Sequence, residues 1–232
     1  MQYYGYINSA YDNSWIGSYS DIHESCWSCS KSNNLSCYSR NNSCIAPWMD
    51  ITNFKYQIFY MKFMDVQKAI FGRFSCRTYK SKKLKDNDLS KILEAGLNAP
   101  NSGNLQCSKF IVVNDDSKKK ELTKASLDQR WMNQAPVFVV VCSDLKKLKT
   151  YYTKNYETYG IQDTSLAAEN IMLMAHSFNI KSCFISAIDE NAVRRILRIP
   201  EDVGVYCIIA LGYSSEKKTS NRNSLSYSVN FN

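Results

Sequence analysis

Two arginines and a serine at alternating positions are the first candidates for chemistry. In the stretch GRFSCRTY, residues 72–79, Arg73, Ser75 and Arg77 occupy every second position. If the backbone is extended there, both guanidinium groups and the hydroxyl face the same side, because side chains alternate along a strand. Guanidinium forks and a hydroxyl suit phosphate oxygens. The pattern indicates an anion site, and a surface strand with ordinary ion pairs is the alternative.

A second candidate is a polar stretch around a proline and a glycine. The sequence NAPNSGNLQ, residues 98–106, carries five polar side chains: Asn98, Asn101, Ser102, Asn104 and Gln106. Amides present hydrogen-bond donors and acceptors together, as a heteroaromatic ring with N–H and C=O edges requires. The alternative is a plain polar turn after a helix, which proline and glycine also mark.

Several common catalytic devices do not occur in the sequence. It has no Gly-x-Gly-x-x-Gly, no Walker loop and no His-Glu-x-x-His, and its only histidines are His23 and His176. His176 lies in a predicted helix, where a packed or solvent-edge histidine is expected. These features disfavour a triad hydrolase and a histidine-ligated metalloenzyme. An enzyme with this sequence would rely on a cofactor for the difficult chemistry.

The composition argues against a membrane protein and against a nucleic-acid-binding protein. The longest strongly apolar run, VFVVVC at 137–142, is far shorter than the ~20 residues that a membrane-spanning helix needs. The amino terminus lacks the features of a secretion signal. Lysine and arginine outnumber the acids 29 to 21, but the lysines alternate with acids, as on solvated surfaces. We predict a cytoplasmic protein, with a basic nucleic-acid-binding protein as an alternative.

Apolar periodicity begins near Met64 and continues to about Tyr213. It predicts helices within 86–100, 117–127, 163–178 and 189–197, and strands at 109–113, 135–144, 181–188 and 205–213. Ser117 and Asp189 are the expected amino-terminal caps of two helices. The aromatic and basic segment 145–162 is expected to form a lid or a surface linker. About four strands with helices between them indicate an α+β or α/β fold.

The first sixty residues differ in composition from the rest. They are rich in Tyr, Ser and Asn and contain four crowded cysteines: Cys26, Cys29, Cys37 and Cys44. Four thiolates could bind zinc, but the spacing fits neither zinc ribbons nor common ferredoxins, so no metal site is predicted. With few aliphatic side chains to offset ordering entropy, residues 1–60 are expected to be a disordered extension or, if Met61 or Met64 is the start, not translated. Residues 61–232 would form the domain.

The other five cysteines are dispersed through the second part of the chain: Cys76, Cys107, Cys142, Cys183 and Cys207. Most have apolar neighbours. They are expected to be small buried hydrophobic residues of a protein from a reducing compartment.

Over roughly residues 64–232 the chain resembles the nitroreductase family of FMN-dependent flavoproteins. The resemblance lies in an ordered set of segments: a helix ending in Arg-x-Ser-x-Arg, a second helix, a Pro-(polar)-x-x-Asn-x-Gln turn and the strand FIVV. Segments 131–144, 163–186 and 199–213 are similar as well. The resemblance implies an α+β fold with a central, mostly antiparallel sheet flanked by helices. It also implies a homodimer with FMN sites at the interface, where the long helix 163–178 would be buried.

The resemblance assigns one group of residues to the FMN phosphate. Arg73 and Ser75 would bind the phosphate, and Phe74 would contact the cofactor through its backbone. Arg222 in the tail would add a second phosphate contact, with Lys217 or Lys218 as substitutes. Relatives commonly carry two arginines before the serine, whereas Phe74 stands in the second position here.

The same resemblance assigns a second group to the isoalloxazine ring. Arg77 would lie at its N1/O2 edge, where a fixed cation favours reduced flavin. Asn104, supported by Gln106, would bind the polar edge of the ring. The backbone at Ser186 and Ala187 would approach N5. The turn that packs on the ring, often from the partner subunit, would be Pro100, Asn101 and Ser102.

By resemblance, the expected activity is hydride transfer from NADH or NADPH through FMN to an electron-poor acceptor, a nitroaromatic or a quinone. The order would be ping-pong, and neither a catalytic side chain nor a metal would be required. Two alternatives keep the flavin. One is a specialised dehydrogenase or dehalogenase of the same fold, and the other is a non-catalytic flavin-binding redox module.

Overall fold

A four-stranded antiparallel sheet is the centre of the computed structural model, which describes residues 64–219 and 221–231. The strands are β1 (Ser108–Val113), β2 (Val137–Asp144), β3 (Lys181–Ile185) and β4 (Val203–Gly212). They lie in the order β1-β2-β4-β3, with every neighbouring pair antiparallel. The predicted antiparallel α+β arrangement is confirmed, and the α/β alternative is wrong.

Helices flank the sheet. They are α1 (Val66–Gly72), α2 (Asp86–Leu97), α3 (Asp116–Ala125), α4 (Leu145–Tyr151), α5 (Tyr156–Ser177), α6 (Glu190–Leu197) and the one-turn α7 (Leu225–Ser228). Two short 3-10 segments, Ser102–Asn104 and Arg130–Gln134, connect α2 to β1 and α3 to β2. The extension predicted for residues 1–60, its four cysteines and His23 lie outside the described residues, so those predictions stay predictions.

Strand β2 shows why the sheet is buried on both faces. Phe138, Val140 and Cys142 pack with residues of α3 and α6 on one side of the sheet. The alternate side chains, Val137, Val139 and Val141, pack with α2 and α5 on the other. Since neighbouring side chains point to opposite faces, a strand covered on both sides has a continuous apolar sequence. This explains the run VFVVVC.

Some predicted boundaries and caps are wrong. Segment 145–162 is not an irregular linker, because it forms α4 and the first part of α5; its role as a lid stays a prediction. The cap of α3 is Asp115, whose carboxylate accepts the Lys118 N–H at 2.9 Å, rather than Ser117. Asp189 is confirmed as the cap of α6, accepting the Ala192 N–H at 3.0 Å.

All five cysteines of the described segments are free and buried, as predicted. Burial raises the pKa of the Cys142 and Cys207 thiols to about 12, so both are protonated at neutral pH. No helix in the described part of the chain combines the length and the apolar character needed to cross a membrane.

Candidate functional site

The Arg-x-Ser-x-Arg element is an extended segment attached to the edge of the sheet. Helix α1 ends at Gly72, and Arg73 takes an extended conformation with φ −63° and ψ 139°. Ser75 forms a parallel bridge with Ser182 of β3. The Cys76 N–H donates to the Ser182 carbonyl at 3.0 Å. The backbone of this element is therefore fixed by a strand that follows it by more than one hundred residues.

The side chains of the element alternate as the sequence predicts. Phe74 and Cys76 are buried in the core, 8% and 0% exposed. Ser75 and Arg77 are exposed, and Arg73 is half-buried. A paired, extended backbone thus anchors two side chains inside and presents two guanidinium groups and a hydroxyl outside.

A carboxylate from the chain after β4 holds the same segment. Glu216 Oε2 accepts the Arg77 and Thr78 N–H groups, each at 2.9 Å, and the Cys76 thiol at 3.3 Å. Partial burial tends to raise the pKa of Glu216. The hydrogen bonds from these residues outweigh it, and the pKa lies below its usual 4.5. Glu216 fixes the backbone that carries Arg77.

Arg73 and Arg77 have different surroundings. The Arg73 guanidinium pairs with Glu169 of α5, with 3.2 Å between Nε and Oε1. The Arg77 guanidinium carbon lies 5.8 Å from the ring centroid of Trp131. Both arginines are placed by contacts within the chain, and each remains close to the surface.

The polar turn after α2 is anchored by a buried aspartate of α5. The backbone N–H of Ser102 donates to both carboxylate oxygens of Asp163, at 3.0 and 3.1 Å, and the Ser102 hydroxyl donates to Oδ1 at 2.9 Å. Asp163 is only 3% exposed. A buried carboxylate needs such donors, so this contact sets the position of the turn.

The rest of the turn has a strained backbone. Gly103, Asn104 and Gln106 have φ angles of +57°, +54° and +53°, a left-handed conformation that residues other than glycine seldom adopt. The Asn101 side-chain carbonyl accepts the Gln106 N–H at 2.8 Å. Asn104, Gln106 and the preceding Pro100 are exposed. Strain of this kind often occurs where a ligand binds.

The two clusters lie beside the same helix but not on one face of it. Arg73 contacts α5 at Glu169, and Ser102 contacts it at Asp163. Six residues of α-helix correspond to about 9 Å of rise and a net rotation of about 120°. Within one chain the two clusters are therefore close along α5 but contact different faces of it. Packing of the turn on the flavin of a partner subunit stays a prediction.

Three further residues that were predicted to bind the cofactor lie in the segments that follow β3 and β4. Ser186 and Ala187 are exposed directly after β3, the strand that pairs with Ser75. Arg222 is exposed in the tail after β4. The side chain of Lys218 donates to the Phe71 carbonyl at the end of α1, which brings the tail beside the Arg-x-Ser-x-Arg element.

The donor set fits FMN. Guanidinium and hydroxyl groups on the extended segment suit a phosphate, and the amides of the strained turn suit the polar edge of a flavin ring. Within residues 64–219 and 221–231, no three His, Cys, Asp or Glu side chains are grouped to hold a metal ion. Sequence reasoning missed Asp163, Glu169 and Glu216, whose partners are far away in the sequence.

The chain is also similar to known proteins in sequence. The model of the nitroreductase family matches residues 70–131 and 123–213. A putative NADH dehydrogenase/NAD(P)H nitroreductase from Archaeoglobus fulgidus is 35% identical over 155 residues, which cover 65% of this chain and 86% of that protein.

Two solved structures have a similar fold. An FMN-dependent nitroreductase from Clostridium difficile is 32% identical, with a TM-score of 0.60 over 69% of this chain and 95% of that one. An NADPH:FMN oxidoreductase from Vibrio harveyi, solved with NAD+, is 24% identical, with a TM-score of 0.66 over 72% of this chain and 76% of that one. At this identity the second likeness concerns the fold alone.

Proposed function

The chain belongs to the nitroreductase family, and we propose that it is an FMN-dependent oxidoreductase. The electron donor would be NADH or NADPH, and the acceptor an electron-poor molecule such as a nitroaromatic or a quinone. The observation that carries the proposal is the Arg73-x-Ser75-x-Arg77 element, whose backbone is fixed by β3 and Glu216 so that its polar side chains face outward.

The phosphate of FMN would bind at the beginning of this element. Arg73 and the Ser75 hydroxyl would contact the phosphate oxygens, and the backbone at Phe74 would lie against the cofactor. Arg222 or Lys218 would approach from the tail. Arg73 is already held by Glu169, so cofactor binding requires the guanidinium to share that partner or to leave it.

The ring would lie between groups from several segments. Arg77 would place a fixed positive charge beside it. The backbone at Ser186 and Ala187 would face its centre, and Asn104 with Gln106 would bind its polar edge. The turn of Pro100, Asn101 and Ser102, positioned by Asp163, would cover the ring of the partner subunit's cofactor.

FMN, when bound, supplies the two-electron hydride transfer. The side chains bind and orient the cofactor and place positive charge beside it. The proposed site has no catalytic acid or base of its own, so its side chains are not required to titrate during turnover.

We also propose a homodimer, because α1, α2 and α5 leave an apolar groove between them. The groove has a volume of about 640 Å³. Among the side chains that line it are Val66, Ile70, Leu173 and Met174, and Val66 and Ile70 are 68% and 50% exposed. Exposed apolar side chains grouped on one surface suit an interface. Partner subunits meeting across α5 would bring the turn of one chain to the phosphate element of the other.

A cytoplasmic location and a domain of residues 61–232 belong to the same proposal. Free, buried thiols suit a reducing compartment. The matched family region begins at residue 70, which supports a domain that excludes the first sixty residues.

The test is reconstitution. The purified full-length chain is mixed with FMN, desalted and examined by absorption spectroscopy, and NADH and NADPH are then added without oxygen. The proposal expects one FMN per chain and bleaching of the flavin absorption by at least one nicotinamide. A chain that retains no flavin, or a bound flavin that neither nicotinamide reduces, would contradict it.

A further inference from the structure

Lys181 lies beside the anion-binding element, although nothing in the sequence sets it apart from other lysines. It is the first residue of β3 and precedes Ser182, the residue that pairs with Ser75. Its ammonium nitrogen lies 5.6 Å from the ring centroid of Phe74. Phe74 brings no charge to the element, and Lys181 of β3 places a cation beside its ring.

A buried histidine shows how closely the cations are grouped. The imidazole of His176, 7% exposed, packs against Gly72 at the end of α1. Burial lowers its pKa below the usual 6.5, and three neighbouring cations lower it further: Lys181, Arg73 and Lys218. These three side chains therefore lie near His176, which packs where α1 leads into the extended element.

The charges of this group do not balance. Among the described residues, Glu169 is the acidic group within ion-pair distance of these cations, and it contacts Arg73. Lys181 has no ion-pair partner in that part of the chain. Three cations and one carboxylate leave a local charge of +2, which matches the charge of about −1.5 to −2 on a phosphate monoester at neutral pH.

We propose that Lys181 is a phosphate-binding residue, the cation that joins Arg73 and Ser75 around the phosphate of the flavin nucleotide. This rests on the proposed function and names a residue that its other parts do not use. Lys181 is half-buried with its ammonium group over the Phe74 ring, which limits the motion of that group and lowers the entropy lost on binding. Lys218 would approach the same phosphate from the tail.

The competing explanation is that Lys181 only stabilises the fold through its contact with the Phe74 ring. Riboflavin, which has the flavin ring but no phosphate, separates the two explanations. If Lys181 binds the phosphate, its substitution weakens FMN binding and leaves riboflavin affinity unchanged. A lysine with a purely structural role affects both ligands or neither.

The experiment measures flavin fluorescence while FMN or riboflavin is titrated into the ligand-free full-length protein. The variants are Lys181→Gln, which removes the charge, and Lys181→Arg, which keeps it. Lys82→Gln is the matched control, because Lys82 also lies over an aromatic ring, 4.6 Å from the centroid of Tyr213, and the variant loses the same charge.

For Lys181→Gln we expect an FMN dissociation constant raised about 10-fold, the loss of one charge-assisted contact. Riboflavin affinity stays within about 2-fold, the scatter usual for substitutions that remove no contact. Lys181→Arg and Lys82→Gln bind FMN nearly as the wild type does. The salt dependence of FMN binding also becomes shallower in Lys181→Gln, because one fewer cation meets the phosphate.

Two results would overturn the inference. One is Lys181→Gln binding FMN like the wild type, and the other is an equal loss of FMN and riboflavin affinity. Because the ratio of the two affinities is read within each protein, a misfolded variant cannot imitate the expected result. If the wild type binds neither flavin, both the proposed function and this inference fail. If the wild type binds FMN and Lys181→Gln does so equally well, only the inference fails.

Discussion

Replacing Glu216 tests how the extended element is held. Its carboxylate accepts two backbone N–H groups, from Arg77 and Thr78, and one thiol, from Cys76. Glu216→Gln keeps one carbonyl oxygen at this position and loses the charge, whereas Glu216→Ala loses the acceptor altogether. Glu201, exposed before β4, provides the matched control Glu201→Gln.

The magnitude follows from the number and exposure of these contacts. A hydrogen bond to a charged group contributes about 1.5–3 kcal/mol when it is buried, and partial exposure of Glu216 reduces that contribution. We expect a loss of about 2 kcal/mol in unfolding free energy for Glu216→Ala and about 1 kcal/mol for Glu216→Gln. Glu201→Gln should change it by less than about 0.5 kcal/mol.

The pH dependence gives a second measurement. Because the pKa of Glu216 is lower in the folded protein than its usual 4.5, its stabilising contribution is complete above that value. It is lost as the pH falls through the folded pKa. The stability difference between the wild type and Glu216→Gln should be constant from pH 7 to about 5.5 and shrink at more acidic pH.

Urea unfolding of the ligand-free protein, followed by circular dichroism at several pH values, measures both effects. FMN affinity should fall a few-fold in Glu216→Ala, because the backbone that carries Arg77 is less well fixed. The reasoning is refuted if Glu216→Ala and Glu201→Gln unfold at the same urea concentration. It is also refuted if the stability difference between the wild type and Glu216→Gln does not depend on pH.

Three further substitutions have defined outcomes. Asp163→Asn should cost about 2 kcal/mol in urea unfolding, because a buried acceptor of three hydrogen-bond contacts loses its charge; an unchanged midpoint would contradict this. Glu169→Gln should tighten FMN about 3-fold and leave riboflavin unchanged in fluorescence titrations, because it frees Arg73 from a half-exposed ion pair; weaker FMN binding would show that the pair positions the guanidinium. Gly103→Ala should cost about 1–2 kcal/mol in unfolding free energy, because alanine strains at a positive φ and its Cβ would meet the Tyr152 hydroxyl; a neutral result would show that the turn adapts.

Local patterns predicted much of the fold and part of the site. The alternation of Phe74 and Cys76 with their polar neighbours is visible in the sequence, and the structure confirms which side chains are buried. The apolar run of β2 and the helical spacing of α2 also lie within single segments. Such patterns indicate which side chains are buried, because one face of each element packs against the core.

The parts that were missed depend on contacts between distant segments. Glu216 contacts Arg77 across 139 residues, and Asp163 contacts Ser102 across 61. No local period marks either carboxylate. Lys181 is likewise one of many lysines until β3 places it beside Phe74. Single residues that act on a remote backbone or ligand become visible only when the topology is known.

The early start of α5 has a similar cause. Residues 156–162 show no apolar stripe and include Gly160, which usually weakens a helix. In the fold this glycine gives space to the Tyr206 hydroxyl, which would lie 2.8 Å from an added Cβ. Tertiary packing therefore extends the helix where its own sequence does not favour one.

The attachment of Ser75 and Cys76 to β3 also protects the protein against aggregation through an exposed sheet edge. In the strand order β1-β2-β4-β3, β3 is an outer strand, and an outer strand with unpaired amide and carbonyl groups is a template for aggregation. The extended element covers part of that edge. Substitutions that change only its outward side chains leave this cover in place. Insertions or prolines that detach its backbone would uncover the edge, and insoluble protein would then accompany the loss of flavin.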